Sequence, residues 1–107
     1  MTTNYDGKGL ASELYERVAE IPEGYATSYS ALGRSLSRPV SGLLVGKWMH
    51  RCPSDHPWWR VLAADGSLVV GRKDPMAGHE QRERLEAEGF AFTADGCLIF
   101  GERFWEP

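Results

Sequence analysis

The stretch His56-Pro57-Trp58-Trp59-Arg60-Val61 constrains the fold more than any other part of the chain. Proline fixes its own φ and pushes the preceding residue toward extended geometry, so a helix cannot simply run through this segment. Each indole brings a large flat face and one N–H donor, and the arginine can stack, pair with a carboxylate or bind phosphate. Two interpretations stay open. Both rings belong to the core where a loop enters a strand, or one ring lines a pocket for a flat ligand such as a nucleobase.

The length and composition indicate one small folded domain spanning residues 1–107. The chain has 107 residues, of which 42% are hydrophobic and 25% charged, a balance typical of a soluble globule. No apolar run approaches the roughly 20 residues of a membrane span, so we expect no membrane partner. The segment 1–6 lacks the basic and apolar regions of a signal peptide. We therefore expect a cytoplasmic protein.

The cysteines and histidines do not form a metal-binding or redox pattern. Cys52 and Cys97 are far apart and form no CxxC pair, which predicts free thiols in a reducing compartment. His50, His56 and His79 are scattered without metal-ligand spacing. We expect neither a metal nor another cofactor.

The distribution of charge is more informative than its total of −3, which by itself does not suggest a nucleic-acid binder. From Ala26 to Lys73 seven basic residues stand against two acidic ones, a net charge of +5, so the two flanks together carry −8. Such segregation predicts either a basic face on an acidic protein or a dispersed, solvated surface.

Three helices are predicted in the first half of the chain. Apolar residues at helical spacing indicate an amphipathic helix over Gly9–Glu20. A second helix begins with Thr27 or Ser28 as its cap and ends near Leu36, and a third spans Val40–Met49. Two short helices joined by a tight turn resemble a helix-turn-helix, although many helical hairpins bind nothing.

Two glycines lie four residues apart on the third predicted helix. Glycine inside a helix costs about 1 kcal/mol relative to alanine. The presence of both Gly42 and Gly46 therefore predicts close approach of another backbone, whether of protein or of nucleic acid.

The second half of the chain predicts two hairpins around one helix. An Asp65-Gly66 turn predicts a hairpin over Arg60–Val70, followed by a mobile basic loop over Gly71–Pro75. The remaining expectations are a charged helix over His79–Glu88 with Leu85 as its main buried residue, a small hairpin over 90–100 around Asp95-Gly96, and a tail, Phe104–Pro107, that packs back on the core.

Four motifs, in this order and spacing, resemble the DNA-binding domain of O6-alkylguanine-DNA alkyltransferases. They are Ile21-Pro22-Glu23-Gly24, Thr27-Ser28-Tyr29-Ser30-Ala31-Leu32, Val45-Gly46, and Pro57-Trp58-Trp59-Arg60-Val61 followed by Asp65-Gly66-Ser67. Those enzymes carry Pro-Cys-His-Arg, whose cysteine accepts the alkyl group irreversibly. Trp58 stands at the cysteine position, a replacement that resembles the alkyltransferase-like proteins, which bind O6-alkylguanine in DNA without repairing it. The segments 77–89 and 104–107 resemble the same subfamily.

The resemblance implies an α+β, mostly helical, winged helix-like domain with a helix-turn-helix and a small β-hairpin wing. It implies that the third helix enters the minor groove and that the damaged guanine is flipped into a pocket. Tyr29 then crowds the phosphate 3′ to the lesion, Trp58 lines the alkyl-accepting side, and the backbone of Val61 faces the base. Arg72 and Lys73 lie on a lid loop, and which of them faces the base is left open.

The residues that the resemblance places against DNA or the lesion are Tyr29, Ser41, Gly42, Leu43, Gly46, Lys47, Pro57, Trp58, Trp59, Arg60, Val61, Arg72 and Lys73.

The chain departs from the family pattern at three places. Leu43 stands where the family has an intercalating arginine, so it acts as an apolar wedge or is buried without any wedge. Trp59 replaces the histidine that activates the cysteine. Cys52 replaces an asparagine, and the loop that follows it is about two residues short.

The resemblance thus implies a non-enzymatic protein that binds O6-alkylguanine in duplex DNA, and we expect it to be a monomer. By resemblance, it presents the lesion to nucleotide excision repair proteins and is nucleoid-associated when bound. The alternative is a helix-turn-helix DNA-binding or protein-interaction module that has lost lesion flipping, with Leu43 as the evidence for that loss.

Overall fold

The computed structural model describes residues 6–107, with side chains from Gly9 onward, so residues 1–5, part of the segment searched for a signal peptide, lie outside it. The helices in this part of the chain are α1 (Asp6–Glu20), α2 (Tyr29–Ser35), α3 (Gly42–Met49) and α4 (Pro75–Ala87). The strands are β1 (Thr27–Ser28), β2 (Val61–Leu62), β3 (Ala91–Phe92) and β4 (Leu98–Ile99). Two 3₁₀ turns complete it: the tryptophan turn (Trp58–Arg60) and the basic turn (Val69–Arg72). No helix among residues 6–107 is long and apolar enough to cross a membrane.

The helix-turn-helix predicted from the sequence is formed by α2 and α3, which pack against each other. The Ser28 hydroxyl caps α2 by accepting the Ala31 N–H at 3.1 Å. Helix α3 begins two residues later than predicted because Ser41 keeps extended geometry and acts as its cap. Gly33 allows the turn between the helices, since a Cβ there would lie 2.2 Å from the carbonyl oxygen of Val40.

Helix α1 covers the helix-turn-helix and supplies much of the first hydrophobic cluster. This cluster consists of Leu14, Val18, Ile21, Leu32, Leu36, Val45 and Val61. Hydrogen bonds fix the arrangement, because the Tyr15 hydroxyl donates to the carbonyl of Trp48 at 2.6 Å and the Glu13 carboxylate accepts from Ser37.

The hairpin predicted over Arg60–Val70 is wrong, although its turn is present. Gly66 has a φ of +89° and donates its N–H to the carbonyl of Ala63 at 2.9 Å. Strand β2 is buried and pairs in parallel with β1, with Val61 opposite Thr27. The Asp65 carboxylate binds both the backbone N–H and the hydroxyl of Ser67, which favours a local turn over a second strand. The winged-helix detail is therefore not confirmed.

The predicted basic loop is also shorter than expected, because α4 begins at Pro75 and not at His79. Proline suits the first turn of a helix, and the Asp74 carboxylate caps α4 by accepting the N–H of Ala77 at 3.2 Å. The residues before this cap form the basic turn.

The C-terminal predictions are confirmed. Strands β3 and β4 form an antiparallel hairpin, with Phe92 opposite Leu98. Leu85 is fully buried in a second hydrophobic cluster with Ala26, Leu62, Phe90 and Leu98. The tail returns to the core: the N–H of Trp105 donates to the carbonyl of Ala26 at 2.7 Å, and its ring packs on the first cluster.

Candidate functional site

The outer face of α3 combines an exposed apolar side chain with an open glycine. Leu43 is 76% exposed, so the alternative in which it is buried is wrong. A Cβ on Gly46 would meet no heavy atom of the described residues within 4 Å, whereas one on Gly42 would lie 3.0 Å from the backbone nitrogen of Ser30. Packing on α2 therefore accounts for Gly42, but no contact with a described residue accounts for Gly46. Lys47 is exposed on the same helix.

Two further predicted residues lie at the N-terminal ends of α2 and α3, the two helices of the helix-turn-helix. Tyr29 is the first residue of α2 and packs against the first hydrophobic cluster. Burial raises the pKa of its hydroxyl above 10.0, so the phenol stays protonated and can donate a hydrogen bond. Ser41 uses its hydroxyl to cap α3 and is exposed.

The tryptophan turn separates the two indoles into different environments. Pro57 precedes the turn with a φ of −76°. The rings of Trp58 and Trp59 stand edge to face, with centroids 6.1 Å apart and planes at 88°. Trp59 packs on the second hydrophobic cluster and donates its indole N–H to Glu88 at 2.8 Å. Trp58 is half-buried, and no described residue accepts a hydrogen bond from its indole. Trp58 is therefore the ring available to a ligand.

Arg60 is turned into the protein and is held by Glu88. Its Nε lies 3.0 Å from both carboxylate oxygens, its Nη2 lies 2.7 Å from Oε2, and its Nη1 donates to the carbonyl of Ile21 at 2.8 Å. The side chains of Arg60 and Glu88 are only 13% and 8% exposed. The side chain of Arg60, like that of Trp59, is therefore directed into the protein.

Val61 is buried at the start of β2, and its backbone groups already have partners. Its N–H donates to the carbonyl of Trp58, and its carbonyl accepts the side-chain amide of Gln81 at 3.1 Å. The same amide donates to the carbonyl of Trp59 at 3.2 Å.

The carboxylate of Glu88 is the electrostatic centre of this region. Burial alone would raise its pKa, but hydrogen bonds from Arg60, Gly24 and Trp59 outweigh burial and hold the pKa below 4.5. Glu88 is thus ionised at neutral pH and forms a buried pair with Arg60.

The two cations of the predicted lid loop are exposed, Arg72 in the basic turn and Lys73 directly after it. Arg72 borders a shallow depression of about 350 Å³ together with His79 and Arg82 of α4. The lining of this depression contains neither Trp58 nor Tyr29, so it is not the base pocket that the resemblance implies.

The sequence analysis missed the residues of α4 that hold the tryptophan turn. Gln81 lies within α4 and Glu88 is the capping residue directly after it. The two are seven positions apart and flank Leu85, so the three side chains lie on the same side of the helix axis. A glutamine and a glutamate in line with the main buried leucine were the available signal. Within residues 6–107 there is no group of three or more His, Cys, Asp or Glu side chains that could hold a metal ion.

Comparison with known families places this architecture. Residues 10–90 match the family described as "6-O-methylguanine DNA methyltransferase, DNA binding domain". "Alkyltransferase-like protein 1" of Schizosaccharomyces pombe is 36% identical over 103 residues, which cover 90% of this chain and 94% of that protein. The "DNA base-flipping protein" of Escherichia coli is 33% identical over 94 residues, which cover 86% of this chain and 70% of that protein.

A solved structure has the same fold along almost the whole chain. It is S. pombe Atl1 in complex with damaged DNA containing O6-carboxymethylguanine. The two structures align with a TM-score of 0.76 at 27% sequence identity, covering 98% of this chain and 100% of that one.

Proposed function

The chain belongs to the alkyltransferase-like family, and from this membership we propose that it binds O6-alkylguanine in duplex DNA, flips the damaged nucleotide out of the helix, and transfers no alkyl group. The observation that carries the proposal is the state of Trp58. By the resemblance it stands at the position of the enzymes' cysteine. Its ring is half-buried, its indole N–H has no acceptor among the described residues, and the next two side chains of the turn are bonded within the protein.

A tryptophan at this position suits recognition without chemistry. Its ring offers an apolar face to a flipped base and to an added alkyl group. The indole is no nucleophile under these conditions, so the alkyl group has no acceptor there. Burial raises the pKa of the Cys52 thiol to about 11, so this cysteine stays protonated and does not substitute for the missing one.

The outer face of α3 supports minor-groove binding. Leu43 is exposed enough to act as an apolar wedge between base steps, and the open surface at Gly46 suits close approach of a DNA backbone. Lys47 and Tyr29 supply a phosphate-binding cation and a phenol donor at the two helices. Pro57 and Ser41 act through local geometry, because one precedes the turn and the other caps α3.

Arg72 and Lys73 supply the cations of the lid, because both side chains are exposed at the end of the basic turn. A cation above the flipped base adds a cation–π contact. The other three predicted residues, Trp59, Arg60 and Val61, support the turn without contacting DNA directly, because their polar groups are already bonded within the protein.

The lesion remains in the DNA because it is bound and not repaired. We propose that the bound protein presents it to nucleotide excision repair proteins and that the protein works as a cytoplasmic monomer, nucleoid-associated when bound. A second function, DNA binding without lesion flipping, is favoured by one observation, the absence of a charged group at Leu43, which cannot hydrogen-bond the orphaned cytosine.

A fluorescence-anisotropy titration of two duplexes, identical except for one O6-methylguanine, tests the proposal. We expect the modified duplex to bind at least about tenfold more tightly, which corresponds to about 1.4 kcal/mol. Affinity that falls with salt but is equal for both duplexes would support the second function. No binding at low salt would contradict both and indicate a protein-interaction module.

A further inference from the structure

Three side chains from α4 and its C-terminal end contact Trp59, the residue next to Trp58, at its main chain, its indole N–H and its ring. Gln81 donates to the main-chain carbonyl of Trp59 at 3.2 Å, and Glu88 accepts its indole N–H at 2.8 Å. The guanidinium of Arg84 lies over the Trp59 ring, 4.4 Å from its centroid. Residues three and four positions apart share a helix face, so 81, 84 and 88 form one row. We call Gln81, Arg84 and Glu88 the α4 clamp.

The clamp also binds the residues that follow Trp59, at the C-terminal side of the tryptophan turn. The Gln81 amide also binds the carbonyl of Val61 at 3.1 Å, and the Glu88 carboxylate also pairs with Arg60. Its position is itself anchored, because Arg103 donates to the main-chain carbonyls of Glu88 and Gly89. Trp59 is thereby held as a rigid wall, and the edge-to-face contact passes this constraint to Trp58.

We propose that Gln81, Arg84 and Glu88 are positioning residues that hold Trp58 in the orientation that receives a flipped base, so that they set the preference for alkylated over unmodified DNA. This inference rests on the proposed function. A ring fixed before binding loses less conformational freedom when a base stacks on it, so the gain goes to the lesion complex alone. Binding to unmodified DNA uses the α3 face and does not depend on the clamp.

The exposure of Arg84 separates this role from a purely structural one. Its side chain is 46% exposed and its ion pair with Glu80 lies on the surface. Its guanidinium also lies over the Trp59 ring. Exposed ion pairs contribute little to stability. Arg84→Gln should therefore leave the fold intact while it loosens the wall.

The test uses Arg84→Gln and Glu88→Gln with a matched control for each on the same helix. Arg82→Gln removes an equal charge from a side chain that stacks on Phe92, and Glu86→Gln makes the same change on a surface carboxylate that is paired with Arg82. Affinity is measured by anisotropy on the two duplexes, one with and one without O6-methylguanine. ¹⁵N relaxation of the tryptophan indole N–H groups reports the mobility of Trp58 and Trp59.

We expect Glu88→Gln to lower the ratio of the two affinities about tenfold and Arg84→Gln about threefold, each with affinity for unmodified DNA within about twofold of wild type. Both variants should raise the mobility of the Trp58 indole, and both controls should match wild type. Equal losses on the two duplexes, or an unchanged ratio, would overturn the inference. If wild-type protein itself shows no preference, the proposed function fails, and unchanged Trp58 mobility in the two variants would then reject the clamp separately.

Discussion

The guanidinium of Arg60 binds the carboxylate of Glu88, a residue 28 positions later in the sequence. Its Nε lies 3.0 Å from both oxygens, and its Nη2 lies 2.7 Å from one of them. The pair joins the tryptophan turn to the end of α4. Truncating one partner of a buried pair leaves the other charge uncompensated, so this contact is a sensitive point for stability.

Replacing Glu88 by glutamine should lower the free energy of unfolding by about 2 kcal/mol, because it removes a charge-assisted hydrogen-bond acceptor that is almost fully buried. Chemical denaturation at pH 7 measures this loss. Glu86→Gln, on the surface of the same helix, should change stability by less than about 0.5 kcal/mol. A Glu88 variant as stable as wild type would show that the pair contributes nothing.

The same carboxylate predicts a pH dependence of stability. The pKa of Glu88 is lower in the folded protein than its ordinary value of 4.5. Its stabilising contribution is therefore complete above the unfolded pKa and is lost as the pH falls through the folded pKa. The difference in unfolding free energy between wild type and Glu88→Gln should shrink from about pH 5 downward. A difference that stays constant down to pH 3 would contradict the lowered pKa.

Gly46→Ala should stabilise the protein and weaken its binding to DNA. Alanine is favoured over glycine by about 1 kcal/mol in a helix, and the new Cβ meets no described atom within 4 Å. The same methyl group obstructs the close approach of a DNA backbone, so affinity for both duplexes should fall about fivefold. Gly42→Ala is the matched control, because its Cβ would press on Ser30 and lower stability. Unchanged DNA affinity in Gly46→Ala would show that the DNA backbone does not approach the protein closely at this position.

Leu43→Arg should strengthen binding to the alkylated duplex. The side chain is 76% exposed, so the change does not disturb the core. An arginine adds charge and hydrogen-bond donors for the orphaned cytosine, and we expect about fivefold tighter binding. Leu43→Gln, which has donors without charge, separates the two contributions. No gain with arginine would mean that position 43 does not enter the duplex.

Trp58→Cys should not create an alkyltransferase. A thiol becomes a good nucleophile only when a neighbouring group removes its proton or stabilises the negative charge of the thiolate. The neighbouring residue is Trp59, whose indole has no basic nitrogen and already donates to Glu88. Incubation with a duplex carrying labelled O6-methylguanine should leave the label in the DNA. Stoichiometric transfer of label to the protein would show that another base serves the site.

The helical frame could be predicted from local sequence, but its partners in space could not. Periodic apolar residues, together with the predicted cap at Thr27 or Ser28, give α1, α2 and α3 within a few residues of their observed bounds. The predicted second strand after Asp65-Gly66 is absent, and β2 pairs in parallel with β1 instead. This pairing joins residues 34 positions apart, as with Thr27 and Val61. No local signal specifies such a contact.

The candidate site was predictable in outline and not in orientation. The sequence identified the turn around Trp58, but it grouped Trp59 and Arg60 with the residues that face DNA. Their direction depends on Glu88, which caps the C-terminal end of α4 and lies far from the turn in sequence, and no local pattern indicates such a partner. The difference between the two glycines likewise required the structure, because packing against Ser30 accounts for Gly42 and no described residue accounts for Gly46.

The affinity ratio of wild type and Trp58→Ala for the paired duplexes tests the central claim most directly. Wild type should prefer the O6-methylguanine duplex at least about tenfold, and Trp58→Ala should bind both duplexes equally while keeping its affinity for unmodified DNA. Equal binding of both duplexes by wild type, or an undiminished preference in Trp58→Ala, would contradict recognition of the lesion at this ring.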